Sequence, residues 1–278
     1  MNGRSGRPPW HARPPRFLLV ATLAATACAA PAPPESDGRR IVDQGLLDQL
    51  LRDHVRLGLV DYARLKEDGR LGAYVNGLAE SHPSPADGRR GQLAYWINAY
   101  NAFVLHAVCS RYPIGSVREI GEVGGAVDGL FEGIEFPVAG SAYTLDVIEH
   151  KILRPEFKEA RIHFALAPGT RGGARLRSAA YHPGALEAEL EEAARAFIDD
   201  ASKVRLIRKD RKLELSPLFD WFSEDFGRGK APIVEYLKRY LPPADTAFLQ
   251  YAEVDVRYLE YDWSLNDQAS RRPAVSPP

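Results

Sequence analysis

The sequence predicts an α+β fold, in which a helical N-terminal half packs on an antiparallel sheet with interspersed helices. The first half of the chain repeats apolar residues at helical spacing, and later segments alternate apolar and polar residues as half-buried strands do. The body between Arg39 and Asp267 shows no internal repeat and has the size of one large domain. We therefore expect a single domain over residues 39–267.

Helices are expected throughout the first half of this domain. The segments IVDQGLLDQLLRDHV and GRLGAYVNGLAES have helical periodicity, and the breaker cluster HPSPADG follows the second. The segment RRGQLAYWINAYNAFVLHAVCSRYP predicts the longest and most apolar helix. It should end before Pro113, because the residue preceding a proline avoids the helical region.

Strands and helices are expected to alternate in the second half. Strands are predicted for IEFPVAGSAYTL, for RIHFAL, for a hairpin in KVRLIRKDRKLELS that turns near Lys209 and Asp210, and for YAEVDVRYLEYDWSLN. Helices are predicted for TLDVIEHKILRPEF, with Thr144 or Asp146 as its cap, and for PGALEAELEEAARAFIDD. Two further helices, PLFDWFSEDFG and APIVEYLKRYLP, have proline near their start, where it removes no helical hydrogen bond.

The N-terminus has the pattern of an export signal. Residues 1–16 carry four arginines and no acid, and the apolar run FLLVATLAATA leads to Cys28. This run is shorter than the roughly 20 apolar residues of a spanning helix. Because the tetrapeptide ending in Cys28 resembles a bacterial lipobox, we expect a signal peptide over residues 1–27 and a lipid on Cys28. Simple secretion and an uncleaved anchor are the alternatives.

The segments that flank the domain are expected to be unstructured. Residues 28–38 form a Pro-rich tether, and residues 268–278 form a disordered tail. With a lipid on Cys28, the domain would be exported and held by this anchor on the periplasmic side of a bacterial membrane. Cys109 is the other cysteine and lies in an apolar helix, so we expect a buried, inert thiol and no intramolecular disulfide.

The charge balance argues against a nucleic-acid partner. The chain has 36 basic and 37 acidic residues, and removing the four arginines of residues 1–27 leaves 32 against 37. A nucleic-acid-binding domain is normally basic. The charges of the hairpin, which include Lys203 and Lys209, are interpreted as a solvated face.

Two asparagines lie on the most apolar helix. Asn98 and Asn101 are three residues apart and share a helix face, with Tyr100 between them. Asparagine is a poor helix former, and a buried amide must be hydrogen-bonded. These residues therefore indicate a buried polar network, which either pins loops onto the helix or forms a pocket floor that orients a substrate or a catalytic histidine.

The segment LDVIEHKILR contains groups that could act chemically. His150 could serve as a general base beside Glu149, and Arg154, four residues later, could clamp an anion. The alternative is that His150 is a satisfied, partly buried histidine. On the expected strand RIHFAL, His163 faces away from Ile162 and Phe164 and toward a second layer or a cleft.

A metal site is not expected, although three of these side chains could approach one another. The spacing of His150, His163 and Glu149 matches no metal-binding motif. No cofactor motif is present either. The loop APGTRGGAR that follows RIHFAL lacks the P-loop and G-x-S-x-G patterns.

The glycine-rich loop has more than one interpretation. Its glycine amides, with Thr170, Arg171 and two later arginines, Arg175 and Arg177, could bind an anion. The alternative is a plain flexible connection. We count Thr170 and Arg171 with Tyr100, Arg154 and His163 as candidate ligand-binding residues.

Six segments together resemble a known family. The motifs AYWINAYNAFVLHAV, YPIGSVREIG, YTLDVIEHKILR, RIHFAL, LFDWFSEDF and YDWSLN occur in the order found in the family called domain of unknown function 547. The resemblance runs from GLVDYARL to YDWSLN, which is most of the mature chain. It implies kinship with many exported bacterial proteins, in a family whose activity is unsettled.

The resemblance also implies what this chain lacks. Relatives usually continue HFAL into a segment like Asn-Cys-Ala-Ser, with a Cys-Pro a few residues later. The first cysteine falls on Pro168 of this chain, the serine near Thr170 and the second cysteine on Gly173. A thiol nucleophile beside a histidine would suit a hydrolase or acyltransferase, and here it is absent.

Three functions are compatible with these patterns. The first is a cell-envelope lipoprotein whose non-catalytic or degenerate domain binds a small molecule or a protein. The second is a hydrolase or acyltransferase that uses His150 with the buried Asn98 and Asn101 network. The third is a purely structural envelope protein, which the lack of a concave pocket would favour.

Overall fold

The computed structural model describes residues 42, 44–81, 83, 87–120 and 129–270, and it confirms the α+β class. The expected signal peptide and tether, and residues 271–278 of the expected tail, lie outside the described residues. Residues 268–270 differ from the expectation of disorder. The Gln268 side chain donates hydrogen bonds to the carbonyls of His54 (3.0 Å) and Leu59 (3.1 Å), which attaches the end of the described chain to the first helix.

The N-terminal half is helical, as predicted. It contains α1 (Gln44–His54), a short hairpin of β1 (Val55–Arg56) and β2 (Leu59–Val60), then α2 (Tyr62–Leu65), α3 (Gly69–Glu80) and α4 (Gly88–Arg111). Helix α3 packs on both α1 and α4. Within the described residues, no helix combines the length and the hydropathy needed to cross a membrane.

The second half alternates short strands and helices. It begins with β3 (Phe136–Val138), β4 (Ser141–Tyr143), α5 (Leu145–Val147), which continues as a π-helix over Ile148–Phe157, and α6 (Ile162–Ala165). It continues with α7 (Leu186–Ile198), β5 (Val204–Ile207), β6 (Lys212–Leu215), α8 (Leu218–Trp221), a 3₁₀ turn over Ser223–Phe226, α9 (Lys230–Leu237), α10 (Pro243–Tyr251) and β7 (Asp255–Tyr258).

The three-stranded sheet is mixed. Strands β5 and β6 form the predicted antiparallel hairpin, with Val204 opposite Leu215. Strand β7 then pairs with β6 in parallel, with Val256 opposite Leu213. A parallel pair needs a crossover connection, and α8, α9 and α10 supply it.

The strand predicted for RIHFAL is wrong, because Ile162–Ala165 form the single helical turn α6. The alternation in the sequence suggested one buried face, but all residues from 162 to 167 are buried. Helix α6 lies between two hydrophobic clusters, with Ile162 in the cluster around α4 and Phe164 in the cluster around α7 and the three-stranded sheet. A segment that is buried on every side carries no reliable period-two signal.

The late strand predicted for YAEVDVRYLEYDWSLN is also too long. Helix α10 ends at Tyr251 and β7 covers only Asp255–Tyr258. The chain then leaves the sheet as a closing segment, residues 259–268. Its backbone bonds to three other loops: Leu265 N donates to Gly115 O (2.8 Å), Asn266 N donates to Gly169 O (3.0 Å), and Val60 N donates to Asn266 O (2.8 Å).

The asparagine pair pins two loops onto α4. Asn98 donates to the carbonyl of Tyr181 (2.8 Å) and accepts from its amide (2.8 Å), and it also donates to the Gln44 side chain (3.0 Å). Asn101 donates to Ala165 O (3.0 Å) and accepts from Ala167 N (2.8 Å). These bonds match the interpretation of a buried network, and Asn101 fixes the chain where α6 ends and the glycine-rich loop begins.

Asn101→Ala should lower the free energy of unfolding by roughly 1–3 kcal/mol, because the buried carbonyl of Ala165 and amide of Ala167 would lose their partner. Thermal or urea unfolding monitored by circular dichroism measures this change. Asn76→Ala, on an exposed position of α3, is the control and should leave stability nearly unchanged. Equal melting temperatures for the two variants would contradict a supporting role for Asn101.

Candidate functional site

The helix that follows β4 carries three of the predicted site residues. Its start is capped by Thr144, whose hydroxyl accepts from Val147 N (3.2 Å). From Ile148 to Phe157 it adopts the wider π form, which is rare in proteins and frequent at functional sites. Glu149 on this segment is buried, while His150 and Arg154 are partly exposed.

His163 on α6 lies between two carboxylates. Its Nε2 donates to Asp225 Oδ2 at 2.7 Å, and its Nδ1 lies 3.5 Å from Glu149 Oε1. The side chain is only 1 % exposed, and its ring stacks on Phe222 with centroids 3.9 Å apart. A buried histidine held in this way is strongly restricted in orientation.

Arg154 connects the two predicted histidines: it bonds directly to His150, and it reaches His163 through Asp225. Its guanidinium donates to both Asp225 oxygens, at 2.6 and 3.1 Å, and Nη1 donates to His150 Nδ1 at 2.8 Å. Because arginine can only donate, His150 Nδ1 must be the acceptor and the ring proton lies on Nε2. That N–H faces Asp146 Oδ1 at 3.7 Å. The lone pair of His150 Nδ1 is therefore engaged by Arg154.

The electrostatic balance of this cluster favours ionised carboxylates. Burial would raise the pKa of Glu149, but its electrostatic interactions with His163, His150 and Arg154 outweigh burial, and the pKa lies below the ordinary value. Burial is likewise the largest single effect on Asp225, and the bonds from His163 and Arg154 overcome it and lower the pKa. We call Glu149, His150, Arg154, His163 and Asp225 the charged cluster.

A small cavity of about 30 Å³ touches one end of this cluster. Tyr100, Glu149 and His163 line it on one side, and Pro168 and Tyr261 lie among the residues on the other. Within the described residues, His163 Nδ1 has no hydrogen-bond partner. Burial raises the pKa of Tyr100 well above its ordinary value, and the charge of Glu149 adds to this effect, so Tyr100 stays protonated. The cavity has room for a water molecule but not for a metabolite.

The glycine-rich loop satisfies its amides within the protein. Arg171 N donates to Ser264 O (2.9 Å), Gly172 N to Asp262 O (2.7 Å) and Gly173 N to Thr170 Oγ1 (3.1 Å). A Cβ on Gly172 would lie 2.7 Å from the backbone of Asp262, so only glycine allows this contact. The loop is therefore anchored to the closing segment, and the amides of Arg171, Gly172 and Gly173 are not free to bind an anion.

The Thr170 hydroxyl and the arginines of this region also have partners. Thr170 shares a hydrogen bond of 2.6 Å with the Tyr261 hydroxyl. Arg171 donates to the carbonyls of Asp267 and Ser270, both at 3.1 Å. Arg177 turns away and donates to Ala180 O (3.2 Å) and to a glutamate of α7 (3.0 Å). Arg177 thus does not converge with Arg171 and Arg175 on one point.

A larger cavity of about 400 Å³ lies on the other side of this loop. It is bounded by the β1–β2 turn, residues 170–175, the chain around Asp200 and Lys203, and the closing segment. Gly173, Ala174 and Tyr261 line both cavities and form the wall between them. The charged cluster and the larger cavity are therefore neighbours.

Lys203 is the main correction to the interpretation of the hairpin charges as a solvated face. Its side chain lies on the wall of the larger cavity, and the residue is only 5 % exposed. Its Nζ donates to the Arg171 carbonyl, and burial lowers the pKa of Lys203. The folded chain covers Lys203 with the glycine-rich loop, a contact between segments about 30 residues apart that charge patterning cannot reveal.

Asp225 and Phe222 are site residues that the sequence analysis missed as chemical groups. Both lie in the motif LFDWFSEDF, which carried the family resemblance. The position of Asp225 among aromatic residues could have indicated its role, because a carboxylate in an apolar segment needs a polar or charged partner. Its partners, Arg154 and His163, are 71 and 62 residues earlier in the chain.

Two other sets of residues considered from the sequence, the asparagine pair with His150 and a metal site, do not come together in the described residues. All hydrogen bonds of Asn98 and Asn101 go to Gln44 and to the backbone of the pinned loops, and none goes to His150. Among the described residues, no set of three or more His, Cys, Asp or Glu side chains is arranged to hold a metal ion. The rings of His150 and His163 are instead both stacked on Phe222.

Asp225→Asn should lower the free energy of unfolding at pH 7 by roughly 1–3 kcal/mol, and with it the melting temperature. The reason is that Arg154 and His163 lose a charged acceptor. The pKa of Asp225 is lowered on folding, so its contribution is complete above the ordinary pKa of about 4 and is lost as the pH falls below it. The difference from the unmodified protein should therefore shrink between about pH 5 and pH 2 in thermal scans. Asp210→Asn, on an exposed turn, is the control. A difference that does not depend on pH would contradict this assignment.

Comparison with known proteins identifies the central part of this architecture. Residues 86–198 match the model of the family described as "Protein of unknown function, DUF547". The matched region contains α4 with its asparagine pair, the π-helix, α6 and the glycine-rich loop. No curated protein and no solved structure matches the chain. Residues 86–198, which supply α4, the π-helix, α6 and the glycine-rich loop, therefore resemble the DUF547 family.

Proposed function

We propose that this protein is a cell-envelope lipoprotein whose domain binds a small ligand without transforming it. The ligand site in this proposal is the larger cavity between the glycine-rich loop, Lys203 and the closing segment. The charged cluster, in turn, holds the π-helix, α6 and the chain around Asp225 together.

The observation that carries the proposal is the environment of His163. A histidine that activates a nucleophile must have that nucleophile within hydrogen-bond reach. The residues that follow α6 are Leu166, Ala167, Pro168 and Gly169, and a Cβ on Gly173 would lie 2.5 Å from Pro168 Cγ. Pro168 and Gly173 are the positions on which the resemblance places the two cysteines of relatives. They are in contact here and offer no group that could be deprotonated.

The larger cavity supports the binding part of the proposal. Its volume of about 400 Å³ is within the range of small-molecule sites. Its lining mixes hydrophobic residues such as Leu57 and Leu259 with polar groups at Ser216 and Lys203. A site of this composition can fix the orientation of a ligand.

The anchoring part of the proposal depends on the N-terminal pattern. A basic segment, a short apolar run and small residues precede Cys28, which would carry the lipid. The Pro-rich residues 28–38 would then hold the domain away from the membrane surface.

Cys28→Ser should move the protein from the membrane fraction to the soluble fraction, because the lipid is attached through this thiol. Fractionation of expressing bacterial cells followed by immunoblotting measures the distribution. Cys109→Ala is the matched control, since Cys109 is a buried thiol whose pKa burial raises to about 12, and this variant should stay in the membrane fraction. A Cys28→Ser variant found with the membrane would contradict lipid anchoring.

The binding proposal is tested by closing the larger cavity. Native mass spectrometry of the full chain, extracted in detergent from expressing cells, should show a non-covalent adduct of reproducible mass. Glu260→Trp, on the exposed edge of the cavity, should remove the adduct, because the indole fills the entrance. Glu253→Trp introduces the same side chain at an exposed position outside the cavity and should retain it. An adduct that Glu260→Trp does not affect would place the ligand elsewhere.

Besides His150, the hydrolase alternative has a second candidate in His163, whose Nδ1 lies beside Glu149 at the small cavity. It is tested with p-nitrophenyl acetate as a simple ester substrate. We expect no turnover that depends on His163. A rate that falls by about 100-fold or more in His163→Gln would favour the hydrolase, since general acid–base catalysis is typically that large.

A further inference from the structure

We propose that Lys203 makes the larger cavity a receptor for an oxyanion, a carboxylate or phosphate group of a small molecule. This inference rests on the proposed binding function and names the chemical class of its ligand. It depends on one buried ammonium group and on the distribution of hydrogen-bond donors around it.

The ammonium of Lys203 is buried and lies 5.9 Å from the centroid of the Phe197 ring, but its hydrogen-bond donors are incompletely used. An ammonium has three donors, and within the described residues only the Arg171 carbonyl accepts from it. No carboxylate lies within ion-pair distance of Nζ in the described part of the chain. Burying a charge without a partner is costly, so a cation on a cavity wall implies a counter-charge that the cavity can admit.

Two of the three carboxylates that line the same cavity, Asp200 and Asp262, are engaged elsewhere, and the third, Glu260, lies at its exposed edge. Asp200 accepts from the Ser202 amide (2.9 Å) and hydroxyl (2.7 Å) and from Arg175 (2.9 Å). Asp262 accepts from the Ser264 amide (3.0 Å) and hydroxyl (2.5 Å). The burial of Lys203 lowers its pKa, and the more distant charges of Asp200 and Asp262 only partly offset this effect.

The larger cavity is lined by more hydrogen-bond donors than the neighbouring acceptors use. The Ser216 hydroxyl is buried and accepts from Leu218 N (3.3 Å), which leaves its proton available for donation. The Arg175 guanidinium has five N–H groups, of which one bonds to Asp200, and Arg171 keeps N–H groups beyond those on its carbonyl partners. Two guanidinium groups, a hydroxyl and a buried ammonium form a lining that suits a carboxylate or a phosphate.

Isothermal titration calorimetry on the full chain in detergent tests this inference, with inorganic phosphate and sodium acetate as separate probes. At least one probe should bind saturably, and the one that does so identifies the source of the oxyanion. Lys203→Met keeps the length of the side chain and should weaken binding about tenfold or more, the usual effect of losing a hydrogen bond to a charged group. Lys209→Met, an exposed lysine of the same hairpin, should bind as the unmodified protein does.

A second variant keeps the test decisive if Lys203→Met does not fold. Glu260→Trp closes the cavity and removes a negative charge, so a weaker affinity for the probe can only come from blocked access. Unchanged affinity in either variant, or no saturable binding of both probes to the unmodified protein, would overturn the inference. If neither probe binds while Glu260→Trp still removes the adduct seen by mass spectrometry, the cavity is a ligand site for another class of molecule and the proposed function stands.

Discussion

The buried side-chain amide of Asn101 supplies hydrogen-bond partners for two backbone groups at the end of α6. Its donor serves Ala165 O and its acceptor serves Ala167 N, so α6 ends at a fixed point on α4. His163 lies just before this point and the glycine-rich loop just after it. A shift of the loop would move both cavities at once, because Gly173 and Ala174 line each of them. The geometry of both cavities therefore depends on the side-chain amide of Asn101, which need not contact a ligand.

The closing segment completes this arrangement from the opposite end of the chain. Its backbone bonds to the first hairpin, to the turn after α4 and to the glycine-rich loop, which are distant in sequence. Ordering such a long-range contact costs chain entropy, and the several bonds along residues 264–268 offset it together. The Tyr261 hydroxyl bonds to Thr170 and its ring packs on Trp221, so the wall between the cavities is held on both sides.

Sequence reasoning was reliable where a physical signal is local. The long apolar helix, the Thr144 cap and the β5–β6 hairpin each follow from the spacing, capping or turn chemistry of neighbouring residues. Asn98 and Asn101 were also recognisable, since a buried amide must find partners. The sequence could not predict that RIHFAL forms α6, that Lys203 is covered or that Asp225 joins Arg154 to His163. Each of these depends on segments that meet only after folding.

The buried His163 is easier to explain as part of the charged cluster than as an isolated catalytic residue. Asp225 accepts from His163 and Arg154, and Phe222 stacks on His163, so three segments of the chain meet at one ring. Such a cluster stabilises the fold only while its charges stay paired, because removing one partner leaves another charge buried. Loss of a nucleophile at Pro168 would leave this requirement unchanged. The charged cluster is therefore explained by the pairing of these charges and the packing of the three segments.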